Sequence, residues 1–241
     1  MCDIMEIYDG YKDIGINTRK ITQGLEFEMV KEFIQYKKNK FKPTSMNKLM
    51  IFIEPQINNS YPDIVFVQYN PNGFENWIPT RSKLTKSDYK ICYHIYVTKR
   101  IEATEIVTQL GVSWKDTMLS IERLYDSGLI IRYKNKWCIK DKSVFNVKRI
   151  EAIEAKINNL DIVFQQALVN KTFASESYIL SNMSKNIDEE KLEKYGKFGI
   201  GLYSQVDKKF DLLKKPIKSS FPVSFNSIYF NEWIGKVLMM K

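Results

Sequence analysis

Residues 147–159 read VKRIEAIEAKINN, a short apolar stretch with Glu154 and Lys156 two positions apart. Taken as a β-strand, its period of two puts those side chains on one face and Ala155 on the other. A carboxylate and an amine side by side on such a strand have two readings. They form an ion pair on an edge strand, or they belong to a site. Glu189-Glu190-Lys191 repeats the spacing in a polar stretch, where it reads as a solvated helix face. Context has to decide between the two.

Downstream, NLDIVFQQALVNKTFASES (159–177) reads as a helix and YILSNM (178–183) as a strand. DEEKLEKYGKFG (188–199) reads as a polar helix and IGLYSQVD (200–207) as another strand. DKKFDLLKKPIKSS (207–220) is loop-like, and SIYFNEWIGKVLMM (227–240) is an amphipathic helix. Upstream, TQGLEFEMVKEFIQYKKNK (22–40) carries Leu25, Met29, Val30, Phe33 and Ile34 at helical spacing, with Thr22 as a possible cap. KLMIFIEP (48–55) and YPDIVFVQY (61–69), joined through INNS, read as an antiparallel hairpin. DIVFV is apolar on both parities, as a central strand covered on both faces requires. Residues 1–80 and 143–241 are thus predicted to form one discontinuous α/β domain.

Residues 81–142 differ. KSDYKICYHIYV (86–97), EATEIVTQLG (102–111) and SWKDTMLSIERLYDSG (113–128) read as three helices, the second stopped by Gly111 and the third by Gly128. Ser113 and Asp116 stand in capping-box spacing. LIIRYKNKWCIK (129–140) alternates about Lys134-Asn135-Lys136 as a hairpin. The segment holds thirteen Lys or Arg against seven Asp or Glu, so a quarter of the chain carries +6 of the net +9. Clustered basic charge points to a polyanion.

Helix, helix, helix and hairpin resemble the winged-helix DNA-binding module. That resemblance implies base contacts from Ser113, Trp114, Lys115 and Thr117 at the start of the third helix. Arg132, Lys134 and Lys136 on the wing are implied to meet phosphates. A winged helix used for protein contacts or dimerisation is the other reading. The flanking segments resemble the PD-(D/E)XK nuclease superfamily, the restriction-endonuclease-like fold. Its pattern is an acid on a first helix, Pro-Asp opening a second strand and Glu-x-Lys on a third, here Glu26, Pro62-Asp63 and Glu154-Ala155-Lys156. Gln166 matches the Gln that many members carry on the following helix. The departure is the interval between Asp63 and Glu154, which holds the winged-helix segment as an insertion.

The expected fold is therefore a mixed α/β sheet flanked by helices, with an inserted winged helix-turn-helix domain. The resemblance implies a Mg²⁺-dependent endonuclease, Mn²⁺ substituting, that acts on DNA, expected to be double-stranded, as a homodimer. Restriction or phage defence is the role suggested by analogy. Asp63, Glu154 and the Ala155 carbonyl are implied as metal ligands, with Lys156 serving the attacking water or the phosphate. Glu26 shares the helix face of Met29, Val30 and Phe33, where a carboxylate needs a cation; Glu28 lies off that face. Glu54 is a further acid with no assigned role. A DNA-binding regulator with a structural or inactive nuclease-like core is the alternative.

Cys2, Cys92 and Cys138 show no CxxC spacing, which gives no zinc signature and suits a reducing cytoplasm, the expected location. The single histidine, His94, is expected to be a core residue and leaves no basis for His-based metal sites or triads. GKFGIG (196–201) is followed by a strand and lacks Gly-Lys-Ser/Thr, so no nucleotide cofactor is expected. No secretory signal is apparent, and no apolar run is long enough to span a membrane.

Overall fold

The computed structural model describes residues 3–8, 11, 15–19, 24–157, 160–182 and 188–240. Thr22 and Cys2 lie outside the described residues. The chain divides into two compact units, residues 1–70 with 147–223 and residues 71–146 with 224–241.

The first unit is α/β. Its seven strands are β1 (Ile4–Ile7), β2 (Lys48–Ile53), β3 (Ile64–Tyr69), β6 (Val147–Ala155), β7 (Glu176–Ser181), β8 (Ile200–Val206) and β9 (Lys209–Lys214), and they lie side by side in that order. The sheet is mixed: β1 is parallel to β2, β3 is antiparallel to β2 and β6, β7 is parallel to β6 and β8, and β9 is antiparallel to β8. Helix α1 (Leu25–Lys40) covers one face, because Met29, Val30, Phe33 and Ile34 recur on one side of it. Phe33 packs edge-on against Phe66, Tyr203 and Phe210 at ring separations of 4.9–6.1 Å. Glu26 and Glu28 in its first turn and Lys37, Lys38 and Lys40 in its last suit the helix dipole.

Helices α5 (Leu160–Asn170) and α6 (Glu189–Lys197) cover the other face. The period of two is visible along β7, where Tyr178 and Leu180 join the α1 side and Ile179 the α5 side. β9 falls within the stretch expected to be a loop, and β1 was not expected at all. Both are edge strands, and β9 presents exposed Lys209 and Asp211, as edges commonly do.

The second unit holds α2 (Lys86–Thr98), α3 (Ala103–Leu110), α4 (Trp114–Asp126), the hairpin β4 (Ile130–Tyr133) and β5 (Lys136–Ile139), and α7 (Phe225–Met239). Thr85 and Asp88 cap α2 reciprocally, and Ser113 caps α4 through the Asp116 amide. Gly111 ends α3 at φ 63° in the left-handed region, where a glycine carries no Cβ penalty.

The sequence reading placed 71–80, 143–146 and α7 with the other domain; they pack here. Arg81 explains α7. Its Nε donates to Glu232 Oε2 at 2.9 Å and its Nη2 to Oε1 at 2.5 Å. Trp77 Nε1 adds a third donor at 3.1 Å, and Asn231 Nδ2 a fourth at 2.9 Å. Glu232 is fully buried. Without these partners its charge is costly, so α7 is held where Arg81 lies. No helix of the described residues is long and apolar enough to cross a membrane.

Candidate active site

Strand β6 carries two buried glutamates that meet different fates. Glu151 Oε2 accepts from Lys37 Nζ at 2.5 Å and Oε1 lies 3.3 Å from Arg149 Nε, so its charge is matched by two cations. Glu154, three residues on, faces α5, and its Oε1 accepts from Asn170 Nδ2 at 2.7 Å. A neutral amide does not balance a buried carboxylate. Burial, reinforced by the Asp63 charge, pushes the Glu154 carboxyl up to about 8, against smaller downward pulls from Asn170, Arg19 and Lys156. Carboxyls perturbed in this way cluster at functional sites, which makes Glu154 a candidate.

Asp63 stands immediately before β3, where the register pairs Ile64 with Ile153. Its Oδ2 accepts from the Ala155 N–H at 2.7 Å, which ties the two chain segments together at the acid pair. Burial raises the Asp63 carboxyl to about 6; the Ala155 N–H lowers it, Glu54 and Glu26 raise it, and Arg19 lowers it. Glu54 follows β2, is buried with φ 46°, and donates its amide to the Asp63 carbonyl at 3.0 Å. A cavity of about 30 Å³ is lined by Glu26, Phe27, Val30, Ile53, Glu54, Asp63 and Ala155. That is the space of about one water or one small ion.

β6 ends at Ala155, and Lys156 leaves the strand for α1, where its Nζ donates to Glu26 Oε2 at 2.9 Å. Glu26 also accepts weakly from the Ile157 amide at 3.5 Å. Its side chain is 42% exposed, so it sits at the margin of the buried face expected for it, and Lys156 is its cation. Glu28 is exposed and pairs with Lys31 at 2.9 Å. The structure thus brings Asp63, Glu154, Lys156, Glu26 and Ala155 to the end of β6, but Glu154 and Lys156 do not share the one face expected of them: the strand ends at Ala155, and Glu154 turns to α5 while Lys156 turns to α1. Gln166 is exposed, and the α5 side chain that reaches Glu154 is Asn170, one helical turn further on.

Among the described residues no three histidine, cysteine or acidic side chains form a group able to hold a metal ion. Mg²⁺ does not need such a cage, since it is commonly held by one or two carboxylates and keeps several waters. The all-oxygen donors, the small cavity beside Asp63 and two carboxyls raised by crowding and burial fit a hard divalent cation. The Ala155 amide is already committed to Asp63.

In the second unit the residues expected to meet DNA separate into two groups. Arg132, Lys134 and Lys136 are exposed on the β4–β5 hairpin, with Lys134 at φ 55° in its turn. Arg132 lies over Trp137 at 5.8 Å, Lys134 over Tyr133 at 5.9 Å, and Arg100 over the same Tyr133 ring at 4.6 Å. Thr117 is fully buried and its hydroxyl donates to the Ser113 carbonyl at 2.9 Å, so it is not presented to a ligand as expected. Ser113, Trp114 and Lys115 are exposed, but Asp116, Glu122 and Asp126 share the exposed surface of α4 with Met118, Leu119 and Tyr125. The basic surface is the hairpin, not α4. His94 is only partly buried, and its Nε2 pairs with Gln109 Oε1 at 2.9 Å, so it is not the core residue expected. Cys92 is buried as a packing residue.

Comparison with family models, with curated proteins and with solved structures found no match to this chain.

Proposed function

We propose that the chain is a Mg²⁺-dependent DNA endonuclease with a restriction-endonuclease-like core, guided by a winged helix. The observation that carries this reading is the buried acid pair Asp63 and Glu154 at the end of β6, Asp63 bound to the Ala155 N–H and raised by burial, Glu54 and Glu26, Glu154 raised by burial and the Asp63 charge, with Lys156 next in the chain. The order α1, β2, β3, β6, α5, β7 supports it, with β3 antiparallel and β7 parallel to β6. Three helices and a basic hairpin in the second unit support the winged-helix assignment. Of its expected contacts, the hairpin bases Arg132, Lys134 and Lys136 are the ones whose exposure and charge suit phosphates.

Asp63 and Glu154 would hold the metal ion. When bound, it polarises a phosphodiester oxygen and lowers the pKa of a water. Lys156, held in place by Glu26, supplies positive charge where the phosphorane develops negative charge. Asn170 fixes the Glu154 rotamer by its 2.7 Å hydrogen bond, and the Ala155 amide does the same for Asp63. By the same resemblance, two copies act together to cut both strands.

The test is cleavage of supercoiled plasmid with Mg²⁺ or Mn²⁺ by the wild type, Asp63→Asn and Lys156→Ala. Metal-dependent nicking or cutting that disappears in both variants is expected. Salt-sensitive duplex binding without cleavage, indifferent to EDTA, would establish the regulator reading instead.

A further inference from the structure

The segment 16–19 is fastened against the chain that leaves β2. Ile16 is buried, Gln56 donates its amide to the Asn17 carbonyl at 2.8 Å, Thr18 pairs with Pro55 in an antiparallel bridge, and the Arg19 amide donates to the Glu54 carbonyl at 3.1 Å. This attachment brings an arginine to the acid pair from a part of the chain that carries none of the motif residues. The Arg19 side chain is exposed, and its guanidinium lies over the Tyr61 ring at 5.0 Å from the centroid. Tyr61 is two residues before Asp63. The Arg19 charge is felt by both Asp63 and Glu154, yet no ion pair joins it to either among the described residues.

A guanidinium whose only task was to neutralise two carboxylates gains most by direct, two-pronged bonding to one of them. Arg19 instead stands on an aromatic face with its donors at the surface. Stacking restrains the side chain, so less freedom is lost when a ligand is bound. An oxyanion approaching Asp63 and Glu154 meets the negative charge that this acid pair carries when ionised, and a fixed cation beside them offsets that repulsion.

We propose that Arg19, held on Tyr61, forms a phosphate-binding subsite for a nucleic-acid strand entering the Asp63–Glu154 site. The inference rests on the nuclease reading for its substrate but not for its measurement. Arg19 is a binding residue here, and it holds a backbone phosphate by paired N–H donors to non-bridging oxygens.

The experiment is fluorescence anisotropy of the full chain with a short fluorescein-labelled duplex, in EDTA, across a salt series. An Asp63→Asn/Glu154→Gln background removes both cleavage and carboxylate repulsion. Arg19→Gln is expected to flatten the slope of log K against log salt by about 0.9, the value of one phosphate contact on B-DNA. Arg19→Lys is expected to keep the slope while weakening binding, and Tyr61→Leu to weaken binding through loss of the platform. Lys134→Gln serves as the reference for a phosphate contact on the hairpin. An unchanged slope in Arg19→Gln overturns the subsite, as does a duplex that the background protein does not bind. A flattened slope together with a wild type that cuts no DNA removes the nuclease reading and leaves the subsite standing.

Discussion

Asn170 and Glu154 are joined by a 2.7 Å hydrogen bond across the interface of α5 and β6, and the donor is neutral. The bond satisfies one carboxylate oxygen without supplying charge. Replacing Asn170 by Leu is expected to cost about 1–3 kcal/mol where Glu154 is ionised, the usual penalty for stranding a buried acceptor. Urea unfolding at pH 9 and at pH 5 checks this, with the larger loss expected at pH 9.

The acid pair destabilises the fold at neutral pH, and the sign follows from the shifts. Asp63 at about 6 and Glu154 at about 8 bind protons more tightly folded than unfolded. Their favourable contribution is full below the ordinary carboxylate range near pH 4 and declines as pH rises to about 8. Glu154→Gln is therefore expected to raise stability above pH 8 by an amount on the order of a few kcal/mol and to change little at pH 4. Thermal melts of both proteins across that range decide it. A wild type more stable than Glu154→Gln at pH 9 would contradict the geometry.

All four tryptophans, Trp77, Trp114, Trp137 and Trp233, lie in the second unit. Tryptophan fluorescence, excited apart from tyrosine, therefore follows that unit alone. Arg81→Met leaves Glu232 buried without its cation and is expected to cost about 3–5 kcal/mol. The fluorescence midpoint in urea should fall accordingly, and Arg81→Met/Glu232→Leu should recover part of the loss.

On the hairpin, Lys134→Gln/Lys136→Gln is expected to weaken duplex binding and flatten its salt dependence by about 2 units of slope, close to one per phosphate contact. Thr117→Val should leave that slope unaltered and act on stability, because its hydroxyl is spent on the Ser113 carbonyl. Salt titrations of DNA binding separate the two.

The parts of the fold that were legible in the sequence are those with a strong period. α1, the β2–β3 pair, α2 to α4 and β6 announce themselves by apolar spacing, and α4 also by its cap at Ser113; the Thr85–Asp88 cap of α2 came only with the structure. β9 was hidden because an edge strand alternates Lys and Asp with apolar residues and reads as a loop. α7 read as half-solvated because Asn226, Ser227, Asn231 and Glu232 are polar; all four are buried, and the partners of Asn231 and Glu232 include Trp77, Arg81, Val144 and Asn146, far away in sequence. At the site, Asp63, Glu154 and Lys156 stood out by residue type and order. Asn170 did not, since an amide on a helix carries no signal until the strand beneath it is known. Arg19 was overlooked for the same reason, because only the bridge at Thr18 and Pro55 brings it there.

The tie between Arg81 and Glu232 also orders events in time. The two residues leave the ribosome 151 positions apart, roughly 8–30 s at about 5–20 residues per second. Through that interval Arg81 and Trp77 wait without the carboxylate that completes their packing, while β6 to β9, the last four strands of the seven-stranded sheet, are delivered. The second unit begins second and finishes last, so its closure reports that synthesis of the first is done.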